Sequence, residues 1–447
     1  MMGTTVARAA TDFGELSARL AATGDVSVRG RLRSAVGLAI EAELPGARIG
    51  QLVRIERGTG APLLAEVAGF REQGAILLPL GDAAGLSASD AVVSETTTLG
   101  IEVGDHLLGR VLDGLGSPID GAGALRPSAR ATRMPLRGAS VPAMQRPPIT
   151  RPLSLGVRAI DALCTVGEGQ RIGLFAGAGV GKSTLLSQIA RHTDADVVVA
   201  CLVGERGREL RQFIDDGLLA GGRPAVVVCA QSDEPPLLRV KSAQLATAIA
   251  EGYRAQGKRV LLLMDSLTRY ARALREVALS LGELPARRGY PASVFAALPQ
   301  LLERAGTSAD GSITAVYSVL VEGDALDEPI GDELRGLLDG HVVLGRALAE
   351  RNHYPAIDVL ASLSRLMPTV AQPQHIAAAG KLRELLATYE DNRDLVTLGA
   401  YSRGGNAALD TAIVHIDAIE RFLRQPRDER PSFESTLDTL TRITNQL

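Results

Sequence analysis

A three-part chain is predicted: an N-terminal β-barrel, a central α/β core built on a parallel sheet, and a C-terminal α-helical domain. Residues 24 to 100 alternate short apolar stretches with Gly, Pro and Asp turns. From about Gly156 to Pro368, apolar runs without polar alternation are separated by helical segments, and after Pro373 the strand-like runs stop. A chain of 447 residues is long enough for two or three domains with a substantial core.

Residues 1 to 23 come first, with Arg8 and Arg19 in the manner of a transit peptide. Asp12 and Glu15 interrupt that pattern and no apolar core of a secretory signal is present, so the segment reads as an exposed amphipathic helix able to dock elsewhere. In 24 to 100, "VSVRGRL", "VGLAIEAEL", "QLVRIER", "LLAEVAGF" and "GAILLPL" are strands spaced as in a small barrel or sandwich. The Gly- and Pro-rich stretch 109 to 152 is an extended connection at the entrance to a domain spanning 101 to 370. There "RIGLF", "DVVVACLV", "PAVVVCA", "RVLLLMD" and "SITAVYSVLV" are Leu-rich or β-branched runs, as strands buried on both faces require. The tail, 371 to 447, carries helical periodicity in "HIAAAGKLRELLATYEDNRDLV", "AALDTAIVHIDAIERFLRQ" and "FESTLDTLTRITNQL".

The most informative stretch is "GLFAGAGVGKSTLL", residues 173 to 186. An apolar strand, Arg171 to Phe175, runs into a glycine-rich turn, and a helix follows from Ser183. Gly177, Gly179 and Gly181 let the backbone turn tightly and point its N–H groups inward, while Ala178, Val180 and Thr184 complete a cradle for a polyphosphate at a helix N-terminus. Lys182 reaches the β- and γ-phosphates and the Ser183 hydroxyl becomes a ligand of Mg²⁺. The strict motif begins with Gly where this chain has Ala176, a substitution that is tolerated unless the position needs positive φ.

A formal net charge of −3 argues against general affinity for nucleic acid. Cys164, Cys201 and Cys229 form no CxxC pair and read as buried reduced thiols of a cytosolic protein; the six histidines lack metal-ligand spacing. No apolar run approaches the roughly 20 residues of a membrane span.

Hydrolysis needs an aligned water and neutralised phosphoryl charge. Glu205 in "VGERGREL" sits at a strand's carboxyl end, where open parallel sheets place ligands, and is the candidate for polarising water. Its alternative is an ion pair with Arg206 or Arg208 on a solvated turn. Asp265, closing "RVLLLMD", matches the carboxylate that holds Mg²⁺, against the alternative of a helix-capping Asp. Tyr354 and Arg365 in "YPAIDVLASLSRLM" have no role that local sequence reveals.

These segments, together with "VLDGLGSPIDG", "PARRGYPASVFAALPQLLERAG" and "LLDGHVVLGRALAERNHYPAIDVLASLSRLM", resemble over nearly the whole chain the hexameric ATPases that include the rotary ATP synthase catalytic subunit. The resemblance is greatest to the ATPases of type III secretion systems, with the flagellar export ATPase beside them. It implies a RecA-like core with ATP and Mg²⁺ bound by Lys182, Ser183 and Asp265, Glu205 as catalytic carboxylate and Arg206 on the γ-phosphate. Arg365 is implied as an arginine finger inserted into the neighbouring subunit's site, and Tyr354 as packing on adenine. Since Glu205 and Arg365 occur together, a homohexamer would build six complete sites. The implied partners are a central stalk protein, a peripheral stator or regulator at the N-terminal segment, chaperone–effector complexes at the C-terminal domain and a membrane-embedded export gate. The implied place is the cytoplasmic side of the inner membrane, at the base of the apparatus.

Four assignments compete: the injectisome ATPase, favoured by "VEGDALDEPIGDELRGLLDGH"; the flagellar ATPase; a rotary synthase subunit, expected to carry a longer C-terminal region; and a terminator-type RNA helicase. The last needs stacking aromatics, and 24 to 100 holds only Phe70. A ring serving mainly as a docking platform is a fifth reading, of a different class. The resemblance also places two loops of opposite charge at the central channel: 281 to 291, with Arg287 and Arg288, and 322 to 329, with Glu322, Asp324, Asp327 and Glu328.

Overall fold

The computed structural model describes residues 28–58, 60–72, 74–95, 98–214, 222–321 and 328–445. The expected N-terminal helix, and Glu322, Asp324 and Asp327 of the acidic loop, lie outside the described residues. The chain divides into two compact units, one ending at Thr98 and the other starting at Leu99.

The first unit is a closed barrel of β1 (Arg29–Val36), β2 (Ala39–Glu43), β3 (Leu52–Glu56), β4 (Leu63–Arg71), β5 (Gly74–Pro79) and β6 (Ala91–Ser94), ordered β1-β2-β5-β4-β3-β6. Ile40, Val53, Ile55, Val67, Leu77 and Val92 fill its core, the alternate positions that the period of two directs inward. A Cβ on Gly30 would stand 1.9 Å from the Glu43 carbonyl oxygen, so only glycine admits the strand crossing there. Phe70 is more than half exposed.

In the second unit β7 (Gly100–Val103) pairs with β9 (Thr132–Pro135), so the Gly/Pro-rich entrance is partly strand. The large sheet comprises β8 (Val111–Leu112), β10 (Arg171–Ala176), β11 (Val197–Glu205), β12 (Ala225–Gln231), β13 (Arg259–Asp265), β14 (Gly306–Thr307), β15 (Ser312–Leu320), β16 (Gly340–Leu344) and β17 (Ile357–Ser364). Its order is β17-β16-β10-β15-β13-β11-β12-β8, with β14 paired to β15 off this path. The path is parallel from β16 to β8, and β17 runs antiparallel on the edge.

Every residue of β11 is buried, and its two faces feed different cores. Val198, Ala200 and Leu202 pack toward the helix Lys182–His192 and the C-terminal helices, whereas Val197, Val199, Cys201 and Val203 pack toward the helices Pro236–Ala255 and Leu267–Ser280. Each valine or leucine among them contributes about 1.5–3 kcal/mol of burial, so both faces of the sheet are anchored. Leu382, Ile419 and Leu440 of the helices Pro373–Asp391, Ala407–Leu423 and Phe433–Asn445 join the first of these cores. All three cysteines are buried and unpaired with one another, and burial pushes each thiol pKa up. No helix among the described residues is long and apolar enough to cross a membrane.

Candidate active site

Parallel strands align their carboxyl ends, and here four neighbours, β10, β15, β13 and β11, deliver Lys182, Ser318, Asp265 and Glu205 to one edge. Ala176 is the last residue of β10 and has no positive φ, which explains why it replaces glycine without strain. The turn that follows does need glycine: Gly179 has φ 78° and Gly181 φ 95°. The helix then begins at Lys182, so the N–H groups of its first turn open onto the same edge.

Lys182 extends across the sheet edge to the carboxylate of Asp265, and its ammonium lies 3.6 Å from Glu205 Oε1. Ser318, inside the apolar run of β15, donates its hydroxyl to Asp265 Oδ1 at 2.5 Å. The register explains this, since Met264 faces Tyr317 and the next residues along are Asp265 and Ser318. Asp265 is 3% exposed, which favours the charged cluster over a solvated helix cap; Ser266, not Asp265, caps the helix Leu267–Ser280 through its side chain.

β11 runs to Glu205, beyond the apolar run, because its pairing with β12 shifts register between Val203 and Glu205 at Gly204, whose φ is 65°. Glu205 is 5% exposed, and its ion-pair partners are Lys182 and Arg269, not Arg206 or Arg208. Arg269 Nη1 lies 2.9 Å from Glu205 Oε2 and donates a hydrogen bond to the Gly204 carbonyl, and neither Glu205 oxygen accepts a hydrogen bond from another described residue. A buried carboxylate that accepts no hydrogen bond from a described residue keeps acceptor capacity for water or substrate. Burial, then a hydrogen bond with Glu209, then the charge of Asp265 push the Glu205 pKa up to about 7, against the opposing pull of Lys182 and Arg269. Two carboxylates can share such a bond only when one holds a proton, and the Glu209 pKa is correspondingly lowered.

The other sequence candidates are placed less centrally. Arg206 is exposed and precedes the helix Gly207–Phe213 by its backbone, outside the ion-pair cluster. Tyr354 is 43% exposed, yet its ring stands 3.5 Å from where a Cβ on Gly181 would lie, forming with Pro355 one wall of a cavity beside the loop. Arg365 is not part of this chain's cluster. Because β17 is antiparallel, Ser364 pairs with Gly340 at the start of β16, so Arg365 lies at the end of the sheet opposite the glycine loop. Its amide donates to the Asp339 carbonyl at 3.0 Å and its guanidinium to the Arg335 carbonyl at 3.2 Å. Arg287 pairs with Asp332 at 3.0 Å, both half exposed, and Leu284 beside it is 84% exposed.

Ser318 and Arg269 were not singled out from sequence. Arg269 has a local signal, a basic residue in the first turn of the helix that follows Asp265; Ser318 has none.

Residues 156–364 match the ATP synthase alpha/beta family, nucleotide-binding domain, and residues 371–442 match the T3SS EscN ATPase C-terminal domain. A flagellum-specific ATP synthase of Treponema pallidum is 51% identical over 93% of this chain and 93% of its own. A type 3 secretion system ATPase of Sinorhizobium fredii is 50% identical, covering 94% of this chain and 92% of its own. The assembled ATPase EscN of enteropathogenic E. coli, solved in complex with its central stalk EscO, superposes with a TM-score of 0.86 at 44% identity, over 93% of this chain and 100% of that one. The cluster at the sheet edge and these full-length matches together establish that the chain belongs to the ATP synthase alpha/beta family, in the branch of type III secretion and flagellum-specific ATPases.

Proposed function

We propose that this chain is a homohexameric ATPase whose hydrolysis releases and unfolds chaperone-bound effectors and feeds them to a type III secretion apparatus. The observation that carries the catalytic part is Glu205, a buried carboxylate beside Lys182 that accepts no hydrogen bond from another described residue. In this reading the backbone of Gly177, Ala178, Gly179, Val180 and Gly181 cradles the phosphates, with Lys182 on the β- and γ-phosphates and Thr184 on the α-phosphate side. Nucleotide binding draws Lys182 from Asp265 to the phosphates, which leaves the Asp265 carboxylate, steadied by Ser318, and the Ser183 hydroxyl as the candidate magnesium ligands. That hydroxyl and carboxylate suit Mg²⁺, a hard cation that keeps several waters. When bound, Mg²⁺ neutralises charge developing on the phosphate oxygens. Glu205 polarises the attacking water, and Arg269, beside it, and Arg206, after rotating inward, face the γ-phosphate. Tyr354 covers the adenine. Arg365 completes the site of the next subunit, which fits its position at the opposite end of the sheet.

The EscN–EscO assembly supports a ring around a central stalk for this chain too. The N-terminal segment is proposed to bind a peripheral stator or regulator, the C-terminal helices chaperone–effector complexes, and the ring to sit beneath a membrane-embedded export gate at the cytoplasmic face. The 51% identity to the flagellum-specific relative favours flagellar export as a second reading. Phosphate release measured against protein concentration, with size analysis of the same samples, tests the enzyme and the ring together: specific activity is expected to rise as hexamers form. Flat specific activity across assembly would remove the ring from the mechanism. Loss of filament proteins rather than effectors from the medium of a deletion strain would select the flagellar reading. Normal export by a Glu205→Gln protein would instead select the docking platform.

A further inference from the structure

The loop joining the helices Ala407–Leu423 and Phe433–Asn445 is pinned against the glycine loop's own helix. The Gln425 amide donates to the Tyr354 carbonyl at 3.0 Å, and Gln425 Nε2 donates to the carbonyls of Gly156 and Glu429, each at 2.9 Å. Arg158 fastens the near side through the carbonyls of Phe422 at 2.9 Å and Arg424 at 2.6 Å. At the far side Arg191 donates to Asp428 at 3.1 Å and to the Arg427 carbonyl at 3.2 Å, and Arg430 pairs with Asp194 at 3.5 Å. Arg191 belongs to the last turn of the helix that starts at Lys182, so the strap is tied to the element that carries the phosphate loop.

These ties fix the backbone on both sides of Arg427, which lines the space along the first turns of that helix. Two cavities flank the helix there. One lies beside Gly181, Gln188, Tyr354 and Gln425, the other beside Ser183, Ser187, Glu209 and Phe213. Thr184 and Arg427 are the residues lining both. A nucleotide with its terminal phosphates in the 177 to 182 turn and its base toward Tyr354 must carry its α-phosphate past Thr184.

We propose that Arg427 is a nucleotide-binding residue that pairs with the α-phosphate, so that the strap between the last two long helices closes the site from the C-terminal side. The inference rests on the ATP-hydrolase reading above. A guanidinium is suited to it, since it offers forked donors to phosphate oxygens and stays charged at every working pH. Through the Gln425–Tyr354 bond the same strap holds the adenine wall, which ties nucleotide occupancy to the C-terminal helices.

The test is Mg-ADP binding to the full chain by calorimetry, with adenosine as competitor, on the parent, Arg427→Ala and Arg427→Lys, alongside steady-state kinetics. Arg427 is exposed, and its carbonyl, not its side chain, holds the Arg191 tie, so truncation leaves that tie and the Gln425 and Arg158 ties in place. Expected is at least a tenfold loss of ADP affinity in Arg427→Ala, a matching rise in KM, kcat within about threefold, an intermediate Arg427→Lys, and unchanged competition by adenosine. ADP affinity and KM equal to the parent's would overturn the proposal. So would equal losses for ADP and adenosine, which would make Arg427 a prop of the base pocket. Absence of ADP binding by the parent itself would overturn the ATP-hydrolase reading on which the proposal stands.

Discussion

If Glu205 activates the water, acid should silence the enzyme well above the pH at which an ordinary carboxylate protonates. Burial, the bond with Glu209 and the charge of Asp265 push its pKa up to about 7. A raised pKa means the ionised, water-polarising form is lost early on acidification, so kcat/KM, which reports the free enzyme, must fall on the acid side. With one group titrating near that value, the ionised fraction drops from about nine-tenths at pH 8 to about one-tenth at pH 6, a roughly tenfold loss of kcat/KM. Glu209→Gln supplies the internal control. It removes the carboxylate that stabilises protonated Glu205, lowers the Glu205 pKa and moves the acid limb to lower pH, so the ratio of rates at pH 8 and pH 6 shrinks. An acid limb that belonged to the substrate would not move with this substitution. The assay is phosphate release at subsaturating ATP with Mg²⁺ in excess, on samples shown by light scattering to remain assembled. A profile flat to pH 6, or a limb unmoved or raised in Glu209→Gln, would rule out Glu205 as the group that titrates.

Lys182→Ala and Glu205→Gln should both abolish hydrolysis, yet only Glu205→Gln should retain Mg-ATP in equilibrium binding; loss of binding in both would count against the role of Glu205. Reversing Arg287 and Arg288 to Glu should leave ring formation intact and basal hydrolysis within a few-fold, because the Arg287–Asp332 pair is a surface contact worth about 0–1 kcal/mol. The same double variant should lose stimulation by purified stalk protein, and unchanged stimulation would remove these arginines from coupling.

The parts legible in the sequence were those whose chemistry is local. A strand, a glycine turn and Lys182 are consecutive, so the phosphate loop could be read directly, and Asp265 stands out as a charge ending an apolar run. Sequence alone leaves Glu205 between catalysis and a solvated ion pair, because its burial depends on a register shift at Gly204, which no spacing rule contains. Ser318 looks like one polar residue in a buried strand; its contact with Asp265 exists only because β15 and β13 lie side by side in that register. β6, β16 and β17 are short or on an edge, where neither length nor continuous apolarity marks a strand. Gln425 and Arg427 reach the site from the far end of the chain, and helical periodicity in the flanking segments says nothing of the loop between them.

In the proposed ring each site is finished by a neighbour, since Arg365 lies at the end of the sheet opposite its own chain's Lys182. Mixing Arg365→Ala with Lys182→Ala subunits measures this directly. Alone, the first should lose about 10³–10⁵ in rate, as removal of an arginine finger does, and the second should be inactive. In mixed rings formed at equal amounts, about one interface in four pairs an intact glycine loop with an intact Arg365, so phosphate release should recover to a corresponding share of the parent rate. Mixed rings that assemble fully and remain as inactive as either parent would contradict the claim.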